Sequence, residues 1–180
     1  KKGDVCSKCG MDLEPEKISE QDTKVEITEV NDAVKASVST DAIINAYLKI
    51  KNALTSDNSS ETTAASNDFI KAVVATSTSK MDSKLLTKYL NSTDDAKIQA
   101  ELIAKNDGKI DQQRKYFSLL SKDIATLIAT CGSSKHLYQD YCPMYNEGRS
   151  GYWISEMKEI KNPYFGSEMM ECGGMIKEIK

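Results

Sequence analysis

The chain has 180 residues, 39% of them apolar, with 24 Lys and Arg against 27 Asp and Glu for a net charge of -3. That supports one modest domain that folds without needing disulfides, and no basic block marks a nucleic-acid or anionic-membrane partner. No apolar run approaches the ~18 residues of a membrane-spanning helix.

The chain starts at Lys1-Lys2-Gly3, directly on a Cys motif, which reads as a cut or processed start. Residues 1–16 hold Cys6-Ser7-Lys8-Cys9-Gly10-Met11. A Cys-x-x-Cys turn brings two thiols within reach of one ion, and the following Gly permits the turn. Half a zinc knuckle looks the same, but a closed zinc site needs two more ligands, and no second Cys-x-x-Cys exists. Disulfide or redox use is the competing reading, although such motifs normally lie between a strand and a helix.

Residues 17–38 are polar and read as a linker, with Val25 and Ile27 alternating like a short strand. From Ser39 or Thr40, which can cap, Ile43, Tyr47, Ile50 and Leu54 follow a helical period, widened by Ile44 and Leu48. A second helix runs from Ser59 or Ser60 to about Thr76 and buries Ala65, Phe69, Ala72 and Val73. Met81, Leu85, Tyr89, Ile98, Leu102 and Ile103 give a third, interrupted at Asn91-Ser92-Thr93-Asp94 and stopped at Asn106-Asp107-Gly108. A fourth runs from about Lys109 to Thr130 on Ile110, Phe117, Leu120, Ile124, Leu127 and Ile128. The fold class expected is mainly α: an antiparallel four-helix bundle over residues 39–180, with a small irregular, β-containing C-terminal region packed on it. In that last region Leu137-Tyr138 and Tyr152-Trp153-Ile154 read as strands around a turn-rich Asn146–Gly151.

Sulfur is the informative chemistry. Of 7 Met, five (Met11, Met144, Met169, Met170 and Met175) lie within three residues of a Cys. Methionines used as core filler scatter along helices instead. Thiolate and thioether together select Cu(I). In Tyr141-Cys142-Pro143-Met144 and Met169-Met170-Glu171-Cys172-Gly173-Gly174-Met175, the Cys-x-Met pair (Cys142, Met144) and the Met-x-x-Cys pair (Met169, Cys172) each offer two sulfurs from one loop. If the loops face each other, Cys142, Met144, Met169 and Cys172 form a soft site, with Met175 as a further donor and the lone His136 either an imidazole ligand beside it or, as a lone histidine more often is, structural. The plainer reading is a Cys142–Cys172 disulfide with methionines as packing. Cys131 reads as a buried small hydrophobe, and Trp153 as core, with a cation over its ring as the alternative. One His with no orienting partner gives no nucleophile pair, so the expectation is a binding protein and not an enzyme.

Two stretches resemble known families. Asp4-Val5-Cys6-Ser7-Lys8-Cys9-Gly10-Met11-Asp12-Leu13 resembles the second half of the heavy-metal-binding motif of bacterial copper and heavy-metal transport proteins, without its Cys-Pro-Met-His-Pro half. Gln113–Ser121, Tyr141-Cys142-Pro143-Met144, Tyr152-Trp153-Ile154-Ser155 and Ile160-Lys161-Asn162-Pro163-Tyr164-Phe165-Gly166, ending in Met169 and Cys172-Gly173, look like the uncharacterised domain attached to periplasmic adaptor (membrane fusion) proteins of copper and silver efflux systems. That resemblance covers roughly residues 40–175. It implies a periplasmic or envelope location, lipid anchoring included. It also implies copper as cargo, with silver or zinc as alternatives. An efflux adaptor or another envelope metal-handling protein is the implied partner, and metal resistance the implied role. By position it carries over Cys142, Met144, Met169 and Cys172 as sulfur positions, while Met170, Met175 and His136 match no motif.

Overall fold

The apolar stripes become helices at the expected places. The computed structural model describes residues 24–180; the Cys6-Cys9-Met11 motif lies outside these described residues. Helix α1 (Asp32–Ser37) is followed by α2 (Asp41–Thr55), α3 (Ser59–Ala75), α4 (Ser83–Lys105) and α5 (Ile110–Cys131). Strands β1 (Leu137–Cys142), β2 (Gly151–Ser155) and β3 (Gly174–Ile179) follow, with a single 3-10 turn at Gly166–Glu168. The chain is thus mainly helical, with a three-stranded antiparallel sheet in the order β2-β1-β3 at its C-terminal end.

Neighbouring long helices pack in chain order, and α5 with α2 also meets β2. Their shared core holds Ile43, Tyr47, Ile50 and Leu54 of α2, Phe69 of α3, Ile103 of α4, and Phe117, Leu120 and Ile124 of α5. Ala72 is only half-buried. Local capping sets the helix starts. Asn58 Oδ1 accepts from Glu61 N at 3.0 Å, and Asp82 Oδ1 accepts from Lys84 N and Leu85 N. Thr40, at the start of α2, instead donates to the carbonyl of Gly132 at 3.0 Å, tying α2 to the end of α5.

Three features depart from the sequence reading. Asn91–Asp94 does not interrupt the third long helix: α4 runs through it, because Ser92 and Thr93 donate to the carbonyls of Lys88 and Tyr89 one turn back. Their small side chains are buried beside Ala96 and Ala100. Val25 and Ile27 form no strand. Ile27 is instead buried in the core, and the carbonyls of Val25 and Ile27 accept from Gln139 Nε2 and Lys177 Nζ. Val25 and Ile27 therefore lie docked against the sheet, while α1, a helix inside the stretch read as a linker, places Lys35 beside Gly132 at the end of α5, and Val38 is buried in the core. Lastly, the chain after Cys172 forms a third strand, β3, where no apolar alternation marks one.

Burial also leaves a charge on α5 with a measurable consequence. Desolvation pushes the Asp123 carboxyl up to about 7, helped by Asp95 and opposed by Lys122. A raised pKa means that the folded chain holds a proton the unfolded chain has released, so stability falls as pH rises from the ordinary carboxylate range through about 7. Asp123→Asn should remove that fall. Urea melts should find the variant more stable than the parent by on the order of 2 kcal/mol at pH 8, discounted for partial exposure, and about equal at pH 4. A variant no more stable at pH 8 contradicts the assignment.

Candidate functional site

Strand β1 ends at Cys142, which pairs in register with Gly151 of β2 and is fully buried. Cys172 lies in the turn just before β3 and is half-buried. Their sulfurs stand 3.5 Å apart. The Cys142 contact comes first among the causes that push the Cys172 thiol above its usual value, followed by burial.

The turn carrying Cys172 is held by one side chain. Asn162 is fully buried and uses all of its polar atoms. Its backbone N donates to Met170 O and its Nδ2 to Cys172 O, both at 2.8 Å. Its Oδ1 accepts from Tyr164 N and Phe165 N, and its carbonyl accepts from Gly166 N. Gly173 has φ 141°, and a Cβ there would collide with the Tyr141 carbonyl, so only glycine lets the turn lie this close to β1.

The Asn162 turn is in turn fixed to the helices. Arg114 of α5 donates from Nε to Pro163 O at 3.0 Å and from an Nη atom to Leu54 O at 3.2 Å, and it pairs with Asp57 at 2.5 Å. Asp57 also accepts from Ser167 N. Aromatic rings complete the support. Tyr47 stacks on Phe117, Phe117 meets Tyr164, and Tyr164 meets Trp153 edge-on and stacks on Tyr145. The Tyr47 hydroxyl lies 2.8 Å from Ser121 Oγ and accepts from the backbone N of Ile154. It thereby satisfies an N–H on β2, an edge of the sheet.

The other candidate donors are spread out. Met169 and Met170 are half-buried in the Cys172 turn, while Met144 is exposed beyond the end of β1. Met175 is exposed on β3 opposite Asp140. His136 precedes β1 at its far end, about 20 Å of strand from Cys142, where its Nε2 lies 2.5 Å from Glu178 and its ring packs on Tyr138. The structure thus brings Cys142 and Cys172 together, with Met169 and Met170 in the same turn, and does not bring His136 to them. Trp153 is core, and Cys131 is buried with its thiol pushed up to about 11 by desolvation.

A buried charged cluster lies nearby. Lys51 of α2 is fully buried and pairs with Glu156 at 2.9 Å, with Ser155 Oγ at 3.4 Å. Asp140, two residues before Cys142, is fully buried with both carboxylate oxygens unpartnered, and burial pushes it up to about 7 against the pull of Lys51.

Chemically, two thiols at this spacing can do two things. Two metal–sulfur bonds of ~2.3 Å at a tetrahedral angle separate the sulfurs by about 3.8 Å, and a disulfide brings them to about 2.05 Å. The first needs a shift of a few tenths of an ångström, the second about 1.5 Å. Among the described residues no group of three or more His, Cys, Asp and Glu side chains is placed to hold a metal ion. Further donors at this pair would therefore be thioethers or backbone.

Helices α2 to α5, a small sheet and a two-thiol turn define a mainly α domain with a C-terminal sheet. The chain belongs to the family described as "Protein of unknown function (DUF3347)", whose model matches residues 43–136. The match spans the four long helices and ends at His136, so the thiol pair lies beyond it. No curated protein and no solved structure matches the chain. Among the described residues, no helix is long and apolar enough to cross a membrane.

Proposed function

We propose that this protein is a soft-metal binding module of the cell envelope. It takes up Cu(I), or Ag(I), on Cys142 and Cys172, with thioethers from Met169 and Met144 completing the shell. Its action is capture and release to a partner such as an efflux adaptor, without a catalytic step. An antiparallel bundle of α2 to α5 is the scaffold. The single observation that carries the proposal is the 3.5 Å approach of Cys142 and Cys172. Thiolate and thioether donors are the set that selects Cu(I). The clustering of Met on Cys and the resemblance to the domain of copper and silver efflux adaptors point the same way. Cys6, Cys9 and Met11 would form a separate soft group, and zinc is the alternative cargo there.

The same approach also favours a second reading, in which a Cys142–Cys172 disulfide staples the tail of a protein-interaction module. A Cu(I) competition titration of reduced protein against a chromogenic chelator separates the two. In a Cys6→Ser/Cys9→Ser background, one equivalent should bind. Cys142→Ser/Cys172→Ser should abolish competition, and Met144→Leu/Met169→Leu should weaken binding about tenfold, roughly 1.4 kcal/mol. Undiminished binding after loss of both thiols rejects the metal site. No binding at all favours the staple.

A further inference from the structure

The two thiols differ sharply in access. Cys142 is fully buried at the end of a central strand, whereas Cys172 is half-exposed in a turn flanked by Gly173. A small molecule meets Cys172 first. Yet Cys142 lies 3.5 Å behind it, close enough to attack any sulfur bonded there.

We propose that this pair is a thiol–disulfide exchange site for low-molecular-weight disulfides, with Cys172 as the attacking thiol and Cys142 as the resolving one. The steps balance. The Cys172 thiolate attacks one sulfur of a small disulfide such as oxidised glutathione, forming a mixed disulfide and expelling one glutathione thiolate. The Cys142 thiolate then attacks the Cys172 sulfur and expels the second glutathione. Two electrons and two protons pass from the protein to two glutathione molecules. The product is a Cys142–Cys172 disulfide. Closing from 3.5 Å to about 2.05 Å brings the two sulfurs about 1.5 Å nearer.

The closed form withdraws both thiolates from a metal ion. In this respect the inference rests on the proposed function and adds its regulation: the site accepts a soft ion when reduced and releases it when oxidised.

The test uses the full chain in a Cys6→Ser/Cys9→Ser background. It is treated with oxidised glutathione at pH 8, quenched in acid, and read by intact mass and peptide mapping. The parent should lose two hydrogens and keep no adduct. A transient glutathione on Cys172, and not on Cys142, should precede the closed product, an order that needs no further variant. Cys142→Ser should retain one glutathione on Cys172. Cys172→Ser should leave Cys142 unmodified, or modified at least tenfold more slowly. Glutathione appearing first on Cys142, or a lasting adduct on Cys172 of the parent, overturns the proposal. A Cu(I) titration of the closed parent separates the two claims. Loss of binding supports the regulatory role. Binding of one equivalent to a disulfide formed in the stated order upholds the exchange site and moves the metal elsewhere.

Discussion

Lys51→Ala should destabilise the protein by about 3 kcal/mol, the cost of leaving buried charge uncompensated. Lys51 is fully buried, pairs with Glu156 at 2.9 Å, and is the cation whose field acts on the buried, unpartnered Asp140. Desolvation already pulls the Lys51 ammonium below its ordinary pKa, with the Glu156 hydrogen bond and charge opposing. Removing the cation leaves Glu156 without its cationic partner, lets burial drive Asp140 further toward its neutral form, and empties the space that the buried Lys51 side chain fills. The partner variant Lys51→Met/Asp140→Asn/Glu156→Gln removes the charges together and should recover most of the loss. Chemical denaturation of the single and triple variants checks this. Equal destabilisation of both would show that shape, and not charge, sets the value of this cluster.

The second large effect is expected at Asn162. Asn162→Ala removes the acceptor of Tyr164 N and Phe165 N and the donor to Cys172 O in one step. Each buried group left unpaired costs about 1–3 kcal/mol, so a total near 3 kcal/mol is expected. Formation of the Cys142–Cys172 disulfide should slow at least tenfold as the turn loses its tether. Asn162→Asp sorts the two roles. Its carboxylate keeps the acceptor for both backbone N–H groups but has no donor for Cys172 O. It should therefore retain more stability than the alanine variant while still slowing sulfur closure. Thermal melts and the rate of thiol loss under a mild oxidant read the two effects separately. Unchanged closure in Asn162→Ala would show that Asn162 does not position Cys172.

These effects fall on residues that pattern reasoning could not single out. Helical period found α2 and α5 because Ile43, Tyr47, Ile50, Leu54, Phe117, Leu120 and Ile124 repeat on one face and are buried. It failed at Asn91–Asp94, where turn-forming residues satisfy their hydroxyls inside a continuous helix. Strand β3 escaped because Met175, Ile176, Lys177 and Glu178 lie exposed on an edge, where no face imposes alternation. Of the site, Cys142 and Cys172 were legible from chemistry alone. The distance of His136 was not, because it depends on the length of β1. Lys51 and Asp140 were missed because polar side chains default to the surface, and Arg114 and Asn162 lay inside the stretches that carry the resemblance without any role being legible there. For Lys51 a signal did exist: it follows Tyr47 by four residues, on the face of the helix that the apolar stripe already occupied.

The most direct test of the central claim is X-ray absorption at the copper edge of the Cu(I)-loaded full chain carrying Cys6→Ser/Cys9→Ser. The proposed site predicts a first shell of sulfur only, lost in the further Cys142→Ser/Cys172→Ser variant. A shell of nitrogen or oxygen that persists without those two thiols would contradict it.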